Sequence, residues 1–323
     1  MKSKLIITTW LLSFALIVVS AYMHLSNVGI DDSGRPGYGV IVDAIPKAGE
    51  LDTVVTAITP SAFTDRLHRG LANVLEVLIV AVVVVAWMTR KSSPSGPFLV
   101  LPVVGLLVSL VLAFLGAWYG SPLRYPWIMI SNLVGGYVLF AIYWWLTMTL
   151  YPVVEPARVK QRNLRIWVNV ALVLLVLQII LGAWIDAYYA AFAGQQGSAW
   201  NSGWSLSSLW QGMELLGQLQ VDGSGQVITE PNVAVSIRTT HLVMAVPVFV
   251  VAFWLAWRAW AAGGRLQLPA GLLIITLLAQ LAVGLMMVWV GMSLSLVVLH
   301  TVLAVLVLLG LLTLLHRLLR NKP

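Results

Sequence analysis

Five histidines occur among the 323 residues, and three of them share a setting. His68, His241 and His300 each fall a short way into a long apolar run, at what should be the same depth. A histidine inside such a run is costly to bury and is a functional candidate by default. Between His241 and His300 the chain makes one full passage across the bilayer and back, so the two imidazoles can face each other. Facing neutral imidazoles with no carboxylate between them suit the iron of a haem. Zinc or a di-iron centre would want further carboxylates or a third histidine, and the runs 237–260, 268–291 and 295–315 hold no Asp or Glu. For either histidine taken singly, a bond to a backbone carbonyl is the competing explanation.

The first half offers an incomplete counterpart. The position matching His68 at depth is Asn132, whose amide is a poor iron ligand. His68 could thus be one axial ligand facing a hydrogen-bonding group, which leaves a coordination position open for chemistry or leaves the site inactive. Asp65 stands three residues before His68 and shares its helical face. It could bond the imidazole, contact a haem or move protons; equally, it could be an acid stabilised by the helix dipole. Arg69, Arg124 and Arg238 sit where haem propionates would emerge, an apt pairing, although Arg also snorkels at interfaces. Glu76 lies deeper, with Asn73 nearby, and has no assigned role. His24, at the end of the first run, could supply the missing ligand or be an exposed interfacial residue. His316, at the far end of the last run, reads as an interfacial charge.

Helices must carry these side chains. Hydrophobic residues make up 60% of the chain and charged residues 10%, against about 25% charged in a soluble domain. Eight runs approach the ~20 residues a helix needs to cross the hydrocarbon: 5–24, 66–88, 98–119, 127–150, 166–188, 237–260, 268–291 and 295–315. The first exceeds a signal-peptide core and has no cleavage pattern after it, so it reads as a retained helix.

Lys2, Lys4, Arg90, Lys91, Arg158, Lys160, Arg162, Arg165, Arg258, Arg265, Arg317, Arg320 and Lys322 fall on one side of these runs. Arg35, Lys47, Arg66, Arg69, Arg124 and Arg238 fall on the other. The positive-inside tendency makes the first side cytoplasmic, holds both termini there, and sets the histidines towards the outer face. Topology signalling and contact with anionic lipid account for the net charge of +7, with no nucleic-acid partner needed. The absence of cysteine excludes disulfides, Fe–S clusters and thiolate ligation.

Long outer loops at 25–64 and 189–236 follow the first and fifth runs, so the chain reads as two four-helix halves, 1–157 and 158–323. Short repeats agree. Leu115-Gly116-Ala117-Trp118 recurs as Leu181-Gly182-Ala183-Trp184, and Gln178-x-x-x-Gly182 recurs as Gln280-x-x-x-Gly284. A glycine four residues after an amide lets a neighbouring helix approach while the amide finds a partner across the interface. In the second loop, apolar residues at 206, 209, 210, 213 and 216 follow helical spacing, which suits a surface helix acting as an interfacial anchor or a lid.

Taken together, the pattern resembles the haem A synthase family, membrane enzymes that convert haem O to haem A for cytochrome oxidases. The likeness spans nearly the whole chain. It rests on the carboxylate-x-x-His-Arg signature at Asp65 to Arg69, where the family usually has Glu, and on Pro126-Trp127 leading to Asn132, where the family has its fourth histidine. Gln178 to Trp184 with Tyr188-Tyr189-Ala190-Ala191 continues it, as do His241 and His300. The resemblance implies an all-α protein of two pseudo-symmetric four-helix bundles in a bacterial-type inner membrane. It implies a b-type haem held by His241 and His300 as redox cofactor. It also implies substrate haem O near Asp65, His68 and Asn132, with a ring methyl oxidised to formyl. It leaves room for a haem O synthase or another oxidase-assembly partner and for a homo-oligomer. A b-haem carrier or assembly protein without catalysis is the alternative; a transporter fits less well, because the polar groups gather at one outer level.

Overall fold

The computed structural model describes residues 2–26, 60–90, 97–118, 126–151, 162–187, 204–212, 231–289 and 293–319. Among them, eight helices are long and apolar enough to cross a membrane. These are α1 (Lys2–Ser26), α2 (Pro60–Met88), α3 (Pro97–Trp118), α4 (Pro126–Leu150), α5 (Arg162–Ala187), α6 (Pro231–Ala261), α7 (Gln267–Trp289) and α8 (Leu294–Leu319). In hydrocarbon a chain has no water to bond its backbone, so helices that satisfy their own N–H and C=O groups are the available solution. The outer surface bears this out: Val77, Val243 and Ile275 are each about two-thirds exposed, and no soluble protein would turn such a belt to water.

Four of the helices, α2, α3, α4 and α6, open on proline, whose missing N–H costs nothing in the first turn. Those prolines start α2 and α6 about a turn and a half before the apolar runs begin. His68 consequently sits two turns inside α2, deeper along its helix than hydropathy alone suggests. Helical bonding continues through the interfacial region, where the apolar signal has already ended. Between α6 and α7 the chain turns tightly through Gly263 and Gly264, both with positive φ (71° and 58°), which an L side chain would strain.

Helix neighbours follow one order in each half. α1 packs on α2, α2 on α3, α3 on α4, and α4 back on α1; α5, α6, α7 and α8 close in the same way. Helices α4 with α5, α1 with α8, and α4 with α8 join the two rings. Thus α6 and α8 stand diagonally, each packed on α5 and α7, and α2 and α4 stand diagonally in the first ring.

Aromatic side chains fill the seam. Trp10 on α1 lies 4.6 Å, centroid to centroid, from Trp144 on α4, and Trp144 Nε1 donates to Thr313 Oγ1 on α8 at 3.1 Å. His316 also belongs to this seam. It is buried, edge-on to Trp145 at 5.1 Å, and its Nε2 lies 3.5 Å from Thr149 Oγ1. The reading of His316 as an interfacial charge is therefore corrected: the face of α8 that carries it is packed against α4.

Candidate functional site

His241 on α6 and His300 on α8 project from the diagonal helices of the second ring, near the ends remote from the contact in which the Arg317 guanidinium donates to the Arg265 carbonyl. Both are half-buried, and the two imidazoles lie within electrostatic reach of each other. Each is held by the helix that precedes its own in sequence. Gln178 of α5 sets its Nε2 at 3.1 Å from His241 Nε2 and 3.2 Å from Nδ1, and donates to the His241 carbonyl at 3.1 Å. Gln280 of α7 sets its Nε2 at 3.0 Å from His300 Nε2.

One turn further along each helix a glycine leaves space for the ring. A Cβ at Gly182 would stand 3.4 Å from His241 Cε1, and one at Gly284 would stand 3.6 Å from His300 Cε1. The repeated Gln-x-x-x-Gly element is therefore a histidine holder, used twice. The sequence repeat was legible without its partner: the amide was known to need a group across the interface, and that group is the imidazole.

Three polar atoms in this cluster are buried without a hydrogen-bond partner: Gln178 Oε1, Gln280 Oε1 and His300 Nδ1. A buried polar group left unpaired costs about 1–3 kcal/mol, so three together mark a place with unused bonding capacity. Two imidazoles on diagonal helices, each with an amide rather than a carboxylate against its ring, are the kind of nitrogen donor set that a haem iron would take. Among the described residues, no three His, Cys, Asp or Glu side chains gather as a metal-binding group.

In the first ring, His68 on α2 is half-buried and Asn132 lies half-buried on the diagonal helix α4. Asp65 has its backbone within α2, but its side chain lies outside the described residues, as do the side chains of His24 and Arg124. Arg69 follows His68 and is exposed; Arg238, three residues before His241, is half-buried. Glu76 is half-buried with its Oε1 enclosed and unpaired.

The family model described as cytochrome oxidase assembly protein matches residues 43–312. That match takes in α2 to α7 and most of α8. The chain belongs to the cytochrome oxidase assembly protein family. It is also 29% identical over 204 residues to a protein of Shewanella oneidensis named haem A synthase, a match covering 57% of this chain and 58% of that one. Membership of this family and eight apolar helices make the chain a multi-pass membrane protein.

Sequence reading missed how the second long loop docks. Its helix spans only Leu206–Gln211, capped by Ser205, whose Oγ accepts from Ser208 N at 3.0 Å. Ser205 N donates to Ser236 Oγ at 3.3 Å, Trp204 Nε1 to Thr240 Oγ1 at 3.4 Å, and Trp184 Nε1 to the Gly212 carbonyl at 2.9 Å. Leu209 turns inward against Trp184, Val233 and Ile237, while Leu206 and Trp210 stay exposed. The segment is thus pinned to α5 and α6 beside Thr240, the residue preceding His241; positions 213 and 216 lie outside the described residues.

Proposed function

We propose that this family member is a haem-binding membrane oxidoreductase of the haem A synthase type, oxidising a haem O methyl to formyl during cytochrome oxidase biogenesis. The observation that carries the reading is the paired holding of His241 and His300 by Gln178/Gly182 and Gln280/Gly284 on diagonal helices. In this reading His241 and His300 of the half 158–323 would hold a b-type haem, and Arg238 would pair with a propionate. Bound there, a b-type haem supplies one-electron redox chemistry.

The half 1–157 receives the substrate haem. There His68 would be the residue to hold its iron, Asp65 to accept or relay a proton, Arg69 to pair with a propionate, and Asn132 to offer a hydrogen-bonding amide. The chain would sit in a bacterial-type inner membrane, and the cation asymmetry supports both termini being cytoplasmic and both haem sites lying towards the outer face. Its partners would be lipid, haem, and a haem O synthase or other oxidase-assembly protein, with a homo-oligomer compatible.

Asn132 favours a second reading, a b-haem carrier that has lost substrate chemistry. Supplying haem O to cells making the protein separates the two. Haem A that appears with the wild type and disappears with His68→Ala, while bound b-haem persists, supports the enzyme. Bound b-haem with no conversion by the wild type supports the carrier.

A further inference from the structure

A histidine that gives Nε2 to iron keeps its proton on Nδ1, and in a buried site that N–H needs an acceptor. His300 Nδ1 is buried with no partner, and Gln280 Oε1 is buried with no partner on the helix that already touches the ring. The Cε1 edge of the imidazole faces that helix, since a Cβ at Gly284 would lie 3.6 Å from Cε1 and 3.9 Å from Nδ1. Both ring nitrogens flank Cε1, so an amide lying against this edge reaches either one by its own torsions. His241 illustrates the reach: the Gln178 amide nitrogen is 3.1 Å from one ring nitrogen and 3.2 Å from the other, and Gln178 Oε1 is again unpaired.

We infer that Gln280 and Gln178 are positioning residues for the two axial histidines, each amide carbonyl accepting the Nδ1–H of its imidazole when Nε2 is given to iron. The swap pairs the orphaned groups at His300 with each other and leaves Nε2 free. It also sets how strongly each ring donates to iron, because an acceptor at Nδ1 makes the imidazole more basic and favours the oxidised metal. The inference rests on the b-haem reading of His241 and His300.

The test is a spectroelectrochemical titration of the bound haem in purified full-length protein, comparing wild type with Gln280→Glu and Gln280→Leu, then Gln178→Glu and Gln178→Leu. A carboxylate acceptor should lower the midpoint potential and a side chain without an acceptor should raise it, with the two-histidine absorption spectrum kept. Opposite shifts from near-isosteric changes are not what loosened packing produces. If a Leu variant fails to accumulate, the Asn variant, with the same amide one methylene shorter, should raise the potential in the same sense. Haem bound normally with potentials unmoved, or moved the same way by Glu and by Leu or Asn, overturns the inference alone. A wild type that binds no haem overturns the site reading and this inference together.

Discussion

The Gln280 amide nitrogen on α7 lies 3.0 Å from Nε2 of His300 on α8, and Gly284 clears the space one turn beyond. The direction of that imidazole is therefore set by a neighbouring helix as well as by its own. The same arrangement recurs between α5 and α6 at Gln178, Gly182 and His241, so two odd-numbered helices orient the histidines of the even-numbered helices that follow them.

Volume at the two glycines should matter in steps. An alanine Cβ at Gly284 would sit 3.6 Å from His300 Cε1, and one at Gly182 would sit 3.4 Å from His241 Cε1, both ordinary contacts. Gly284→Ala and Gly182→Ala should leave bound haem close to wild type, whereas Gly284→Val and Gly182→Val should push the ring aside. The haem affinity of the Val variants is expected to fall on the order of tenfold or more, as for lost ligand orientation elsewhere. Haem per protein in the purified variants checks this.

Among the contacts that dock the 204–212 segment, one hydrogen bond is buried. Trp184 Nε1 donates to the Gly212 carbonyl at 2.9 Å, beneath a patch formed by Val233, Ala234 and Ile237. Trp184→Phe keeps most of the ring but orphans the carbonyl, at a cost of about 1–3 kcal/mol. Faster amide exchange at 205–212, with exchange in the core of α4 unchanged, is the expected result by mass spectrometry in detergent.

Tyr143 is buried in the first ring with its hydroxyl unpaired. A Cβ at Gly105 would stand 3.0 Å from that hydroxyl but 3.4 Å from the ring carbon behind it. Gly105→Ala should therefore destabilise by about 1–2 kcal/mol, since the enclosed ring has nowhere to retreat. In a Tyr143→Phe background most of that cost should vanish. Tyr143→Phe alone should stabilise by about 1 kcal/mol or more, because it removes a buried hydroxyl that has no partner. Chemical unfolding of the four proteins in one detergent measures the cycle.

The eight spans were legible because hydrocarbon imposes a length and a composition that no other constraint imitates. Their starts were less legible: Pro60 and Pro231 begin helices in interfacial sequence where hydropathy is silent, and only the preference of proline for the first turn marks them. That His241 and His300 fall near the same end of two diagonal helices could be read from chain passage alone, since an up-and-down bundle returns to the same depth. Their holders could not, because the Gln-x-x-x-Gly repeat shows that an amide seeks a partner without saying which one. His316 was misread because a helix end rich in cations looks exposed, yet the face carrying His316 packs under Trp145. Asp65 and Asn132 remain sequence arguments joined by topology, placed on the diagonal helices α2 and α4.

Haem stoichiometry and the visible spectrum of the purified protein test whether His241 and His300 together hold one haem. Wild type should carry haem b with the sharp reduced bands of two-histidine ligation. His241→Ala and His300→Ala should each lose those bands, while His68→Ala keeps them. A wild type without haem, or bands that survive removal of His241 or His300, would rule out a haem held by that pair.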